Sequence, residues 1–209
     1  MGNMRIIIMT ESSKFSGKCV AGINVDDGEW VRLVSSDEST HGAISNEDLI
    51  CANGRKCNVL DVVRVPVIRK CGDEIQPENV LIDTSKYITI EGKVNISDVL
   101  NIHPAEVRRD ILGNIYSYIT EQRVGNIGYS LALVEVENLE IHQVETPEGK
   151  PKTKASFYYQ GEYYQMVSVT DPDFYSMPNG TLYDTALLVV SIGTPYNCKY
   201  YKFISGIFV

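Results

Sequence analysis

Lys18-Cys19-Val20-Ala21-Gly22-Ile23-Asn24-Val25-Asp26-Asp27-Gly28-Glu29-Trp30-Val31-Arg32-Leu33-Val34 holds two apolar runs parted by Asp-Asp-Gly. Asp-Gly between such runs is a hairpin signal, because glycine takes the positive φ of a tight turn at no steric cost. Side chains alternate along a strand, so Trp30 and Arg32 share one face while Val31 and Leu33 share the other. Working outward, Arg5-Ile6-Ile7-Ile8-Met9 reads as a strand before the hairpin. Residues 59–67 read as a buried strand after it, with Pro66 near its end. Between them, Ser45-Asn46-Glu47-Asp48 offers an N-cap and an acidic first turn for a short helix through Ile50.

The middle of the chain reads differently. Pro77-Glu78-Asn79-Val80-Leu81-Ile82 suits one helical turn with proline at its start. Val107, Ile111, Ile115 and Ile119 recur every four residues, which predicts a helix from Pro104 to about Arg123 that Gly125 and Gly128 end. Beyond it, strands return. Tyr129 to Val136 passes into Leu139 to Val144, and Gln160-Gly161-Glu162 joins two tyrosine-rich runs as a second hairpin. Leu187 to Ile192 and Tyr200 to Val209 complete the set. Short strands with frequent turn signals suggest barrels or sandwiches. Cys19-Val20-Ala21-Gly22-Ile23 and Phe203-Ile204-Ser205-Gly206-Ile207 echo each other, and a glycine inside a strand often marks a barrel corner.

Composition bounds the function. The chain has 209 residues, 44% of them apolar and 22% charged, which excludes a disordered chain or a coiled coil. No run approaches the roughly 18 apolar residues of a membrane span, so no membrane partner is expected and a cytoplasmic location is. The net charge of -8 lacks the basic footprint usual for a duplex-DNA binder. The acidity sits between residues 76 and 150, where six Lys and Arg face twelve Asp and Glu. One local basic run, Arg55, Lys56, Arg64, Arg69 and Lys70, suits either phosphates or a solvated strand edge. Cys19, Cys51, Cys57, Cys71 and Cys198 include no C-x-x-C pair, and His41, His103 and His142 are scattered, so no metal or other cofactor is expected. Cys19 and Cys198 lie in apolar, strand-like surroundings, where a reduced thiol packs as a small hydrophobe. No P-loop, dinucleotide fingerprint, zinc-protease motif or G-x-S-x-G occurs, and no enzyme activity is expected.

Several blocks together carry a family resemblance. Ser12-Ser13-Lys14, Cys19-Val20-Ala21-Gly22, Gly28-Glu29-Trp30-Val31-Arg32-Leu33 and Leu60-Asp61-Val62-Val63-Arg64-Val65-Pro66 are the first of them. Pro77 to Asp83, Val167-Ser168-Val169-Thr170-Asp171-Pro172 and Tyr201-Lys202-Phe203-Ile204-Ser205-Gly206 follow. They resemble an uncharacterised bacterial family described as a dual OB-containing domain. The resemblance implies a mainly β chain with two small OB-like barrels and a nucleic-acid role, and it carries no catalytic residues. With the helical reading between them, the expected division is a barrel over 1–95, a helical connector over 96–127 and a second barrel over 128–209.

Barrels of this type bind single strands with aromatic platforms and a positive groove. The expected contacts are Lys14, Lys18, Trp30, Arg32, Arg64, Arg69, Lys70, Tyr158, Tyr163 and Lys202. Each aromatic has a second reading as core, since tyrosine favours strands and tryptophan is mostly buried. If Arg32 faces a groove, Arg32→Ala weakens binding and leaves the melting temperature unchanged. The alternative function is a protein–protein adaptor in a bacterial nucleic-acid-processing or defence system, which suits the acidity. A third is an enzyme on nucleotides or modified bases, which needs a concave pocket with convergent polar groups.

Overall fold

The computed structural model describes residues 2–14 and 17–209, and the chain divides into two compact units, Met1–Pro104 and Ala105–Val209. In the first unit, β1 (Gly2–Lys14), β2 (Gly17–Asn24), β3 (Trp30–Val34), β4 (Asp61–Lys70) and β5 (Asn79–Ile82) close a ring. The order is β1-β2-β3-β5-β4 and back to β1, with β3 and β5 parallel and the other pairs antiparallel. A short strand, β6 (Thr89–Lys93), adds to β4 outside the ring. Alternate residues point inward, and Ile6, Ile8, Val20, Leu33, Val63, Val65 and Val80 form the core. The long connection between β3 and β4 plugs this core with Ile44, Leu49, Cys51 and Cys57. Burial pushes both of these thiols up, and their sulfurs lie 2.6 Å apart. A helix, α1 (Ile96–Ile102), follows, capped reciprocally by Asn95 and Asp98 at 3.0 Å each way.

The second unit repeats the topology. After β7 (Tyr118–Thr120) and the single turn α2 (Glu121–Val124) come β8 (Leu131–Glu145), β9 (Pro151–Tyr159), β10 (Glu162–Val169), β11 (Thr181–Tyr196) and β12 (Lys199–Phe208). They close as β8-β9-β10-β12-β11 and back to β8, again with the third and fifth strands parallel. β7 adds to β12. Ile141, Ala155, Val167, Phe157 and Tyr164 line the inward side of β8, β9 and β10 by direct register pairs, and all are buried. Both units are thus closed five-stranded β-barrels of one strand order.

The helical expectation for 104–123 is wrong. Residues 105–117 run as an irregular strap, with Leu112 and Gly113 at φ 52° and 81°. The strap's backbone finds its partners on the barrel instead of within a helix. Glu106 N donates to Leu133 O at 2.7 Å, Arg108 N to Tyr159 Oη at 2.8 Å and Ile111 N to Tyr164 Oη at 3.0 Å. The four-residue spacing misleads because Ile111 and Ile119 are buried while Val107 is 80% exposed. The helical connector therefore reduces to α1 and α2, on either side of the division between the units.

Two further local readings fail for similar reasons. Asn79–Ile82 is a strand, since Val80 and Ile82 alternate into the core and β3 lies beside them. Ser45 and Asp48 make their cap bonds, at 3.0 and 2.8 Å, but the chain turns back at once to bridge Ile50 with Lys56. Gly22 and Gly206 both sit at register shifts, as corner glycines do. They occupy the second strand of one barrel and the fifth of the other, so their echo is not a repeat of equivalent strands. Cys198 is exposed in the β11–β12 turn, where Asn197 and Cys198 have φ 50° and 58°. No helix among the described residues is long and apolar enough to cross a membrane.

Candidate functional site

The outer face of the second barrel is assembled by register. Directly paired residues project to the same side of a sheet, so Glu137, Tyr158 and Tyr163 form one outward row across β8, β9 and β10. His142, Lys154, Ser168 and Phe203 form a second row that reaches β12. The Tyr158 and Tyr163 rings lie 5.0 Å apart at 40° and are 42% and 44% exposed. Their neighbours Phe157 and Tyr164 point inward and stack at 5.2 Å, so alternation sends one aromatic pair into the core and the other to solvent. Gln160 and Gly161, both at positive φ, make the tight turn that holds the two strands in this register.

Charge on this face is modest and local. Lys154 donates to Ser168 Oγ at 2.9 Å, and burial, then the nearby Lys152 cation, pushes its pKa below the usual lysine value. His142 Nε2 lies 3.0 Å from Ser156 Oγ, and its Nδ1 is 3.7 Å from the Glu140 carboxylate. A cleft of 410 Å³ opens beside the second row, lined by Gln143, Lys152, Ser168, Tyr175 and Phe203 among others. The Phe203 ring lies over Gly193, where a Cβ would overlap it. The face thus offers flat aromatic surfaces flanked by two lysines.

The ten residues expected from sequence divide between the two units. Seven belong to the first unit and three to the second. Lys14 ends β1, and its side chain lies outside the described residues. Lys18 lies 3.8 Å from Glu11, which Lys56 also meets. Arg64 is held by Glu91 at 2.7 Å. Arg69 and Lys70 are exposed at the end of β4. Trp30 is half-buried, its ring 5.4 Å from His103 at 72°, while His103 Nδ1 donates to Gly28 O at 2.8 Å.

Arg32 and Lys202 are corrections, because neither reaches solvent. Arg32 is 4% exposed, with Nη1 3.8 Å from Cys19 Sγ. Its neighbours on that side of β2, Ala21 and Ile23, are fully buried, so this face of the first barrel is covered. Lys202 is 1% exposed. It donates to Ile111 O at 2.6 Å and to both Asn114 O and Asn114 Oδ1, and burial pushes its pKa down to about 7. It pins the strap to the barrel. Tyr158 and Tyr163 are exposed and lie side by side on β9 and β10. Sequence reasoning missed Lys152, Lys154, Tyr175 and Phe203. The period-2 spacing of Lys152, Lys154 and Tyr158 was the available signal, hidden because the inward Phe157 adjoins it.

A family model described as "Dual OB-containing domain" matches residues 4–207. Among solved structures, a murine DNA-binding protein bound to double-stranded DNA is similar at 8% identity and TM-score 0.40, covering 100% of this chain and 99% of that one. The tetrameric p202 HIN2 is similar at 10% identity and TM-score 0.36, covering 99% and 92%. No curated protein sequence matches this chain.

Proposed function

The chain belongs to the dual OB-containing domain family, and from that premise we propose that it binds single-stranded nucleic acid, without catalysis, on the outer face of β9, β10 and β12. The exposed Tyr158–Tyr163 pair carries the reading. OB barrels engage oligonucleotides on the face of their second and third strands, and β9 and β10 are those strands here. A ring platform recognises the flat face of a base, which an unpaired strand exposes and a duplex hides. Lys152 and Lys154 supply the backbone contacts, on a molecule whose overall charge of -8 opposes approach. Affinity is therefore modest and falls with salt. The covered face of the first barrel takes no part.

The test is a fluorescence titration of the whole chain with labelled single-stranded DNA and RNA homopolymers at low and physiological salt. Saturable binding is expected at low salt. Tyr158→Ala with Tyr163→Ala is expected to weaken it by at least tenfold, because stacking contributes about 1–3 kcal/mol per base. No binding by folded protein at low salt overturns the reading.

A further inference from the structure

All three arginines of residues 105–209, Arg108, Arg109 and Arg123, line a single cleft in the second unit, and every other cation of that unit is a lysine. We propose that this cleft is a site for a terminal phosphate group, a phosphate monoester. Its volume is 430 Å³, and Asn126, Gly113 and Tyr129 complete its wall. The Arg108 guanidinium lies 3.9 Å from the Tyr129 ring centroid, and Glu106 holds its Nε at 2.5 Å. It is thus fixed in place before any ligand arrives. Arg109 is the opposite case: its side chain is 95% exposed, and its Nε stands 3.7 Å from Asp110, beyond a hydrogen bond. Arg123 is exposed in the one turn of α2.

Charge and geometry agree on the ligand. Three guanidinium groups meet two carboxylates, Glu106 and Asp110, which leaves one positive charge in excess for an anionic group to answer. Guanidinium forks match the paired oxygens of a phosphate better than an ammonium does, which distinguishes this cleft from the lysine-flanked barrel face. A monoester presents three terminal oxygens, whereas the diester inside a strand presents two. The cleft is also placed to receive a strand's end. An adjoining depression runs from Arg108, Arg109 and Asp110 to Gln160 and Glu162, at the turn that precedes Tyr163. A strand stacked on Tyr158 and Tyr163 would bring its terminus over the arginines. That siting rests on the function proposed above, but the phosphate chemistry of the cleft does not.

The probes are the whole chain with a 12-mer oligothymidylate bearing a 5′-phosphate, a 3′-phosphate or neither, and with adenosine monophosphate alone, all at low salt. A terminal phosphate is expected to raise affinity about tenfold over the bare strand. Arg109→Ala with Arg123→Ala is expected to erase that advantage while the melting temperature holds. If the monophosphate binds saturably and loses affinity in the same variant, but the strands show no advantage, the cleft serves free nucleotides and the proposal stands. Tyr158→Ala with Tyr163→Ala is expected to weaken all strands alike and spare the monophosphate. An advantage that survives the arginine variant, or equal loss for strands with and without the phosphate, overturns the phosphate site and leaves the barrel face standing. No saturable binding of the monophosphate or of any phosphorylated strand also overturns it.

Discussion

Lys202 shows what one side chain does when its placement inverts its expected role. A lysine in a strand near the chain's end invites an electrostatic reading, yet this one is enclosed and ties Ile111 and Asn114 to β12. Lys202→Met is expected to cost about 3 kcal/mol of stability, because buried carbonyls lose their donor. Its titration gives a second signature. The folded pKa is lowered to about 7, while the unfolded value is about 10.4. Between those values the unfolded chain binds a proton that the folded chain does not, so this group makes unfolding harder as pH rises from 7 towards 10. Below 7 both states are protonated and its contribution is flat. Urea melts at pH 7 and 9.5 are expected to show that rise, and the methionine variant to lack it. Arg32 is a buried contact of the same class, and half-buried Trp30 packs against His103. Arg32→Ala and Trp30→Ala are each expected to lower stability by about 2 kcal/mol and to leave oligonucleotide affinity unchanged, measured by denaturation and titration in parallel. An affinity loss without a stability loss would return them to a binding surface.

At the scale of elements, legibility followed the distance between partners. The β2–β3 and β9–β10 hairpins were readable because Gly28 and Gly161 answer a local demand, at φ 74° and 80°. Gly161→Ala is expected to cost about 1–2 kcal/mol purely through that backbone strain, since nothing lies within 4 Å of the added methyl. Gly22→Ala is expected to cost more in the same thermal melts, because its Cβ would overlap the Ile7 carbonyl. The strap over residues 105–117 was unreadable. Tyr159 and Tyr164, which receive its N–H groups, are about fifty residues away, and Lys202 is about ninety. Helical periodicity counts apolar residues, and it is silent about phenols and ammonium groups that offer the backbone a better partner than itself. Asn79–Ile82 was obscured in the same way, since β3 comes from far earlier in the chain.

At the scale of the whole chain, the two-barrel architecture was legible from strand alternation and block resemblance, whereas the exposed face of each barrel was not. Sequence shows which residues alternate, but only the register shows that Ala21, Ile23 and Arg32 are covered while Tyr158 and Tyr163 are open. A small number of cations on an acidic body also sets a limit. If Lys152 and Lys154 carry the backbone contacts, the logarithm of affinity is expected to fall against the logarithm of salt with a slope near -1 to -2, read from titrations at several ionic strengths. A slope far steeper would mean that other cations take part. The parallel pairing of third and fifth strands has its own consequence for folding kinetics. Until β12 arrives, β10 and β11 present two raw edges that only this last segment can occupy together. Closure of the second barrel thereby waits on its final ten-residue strand, and a polypeptide cut before Lys199 is expected to self-associate through those edges.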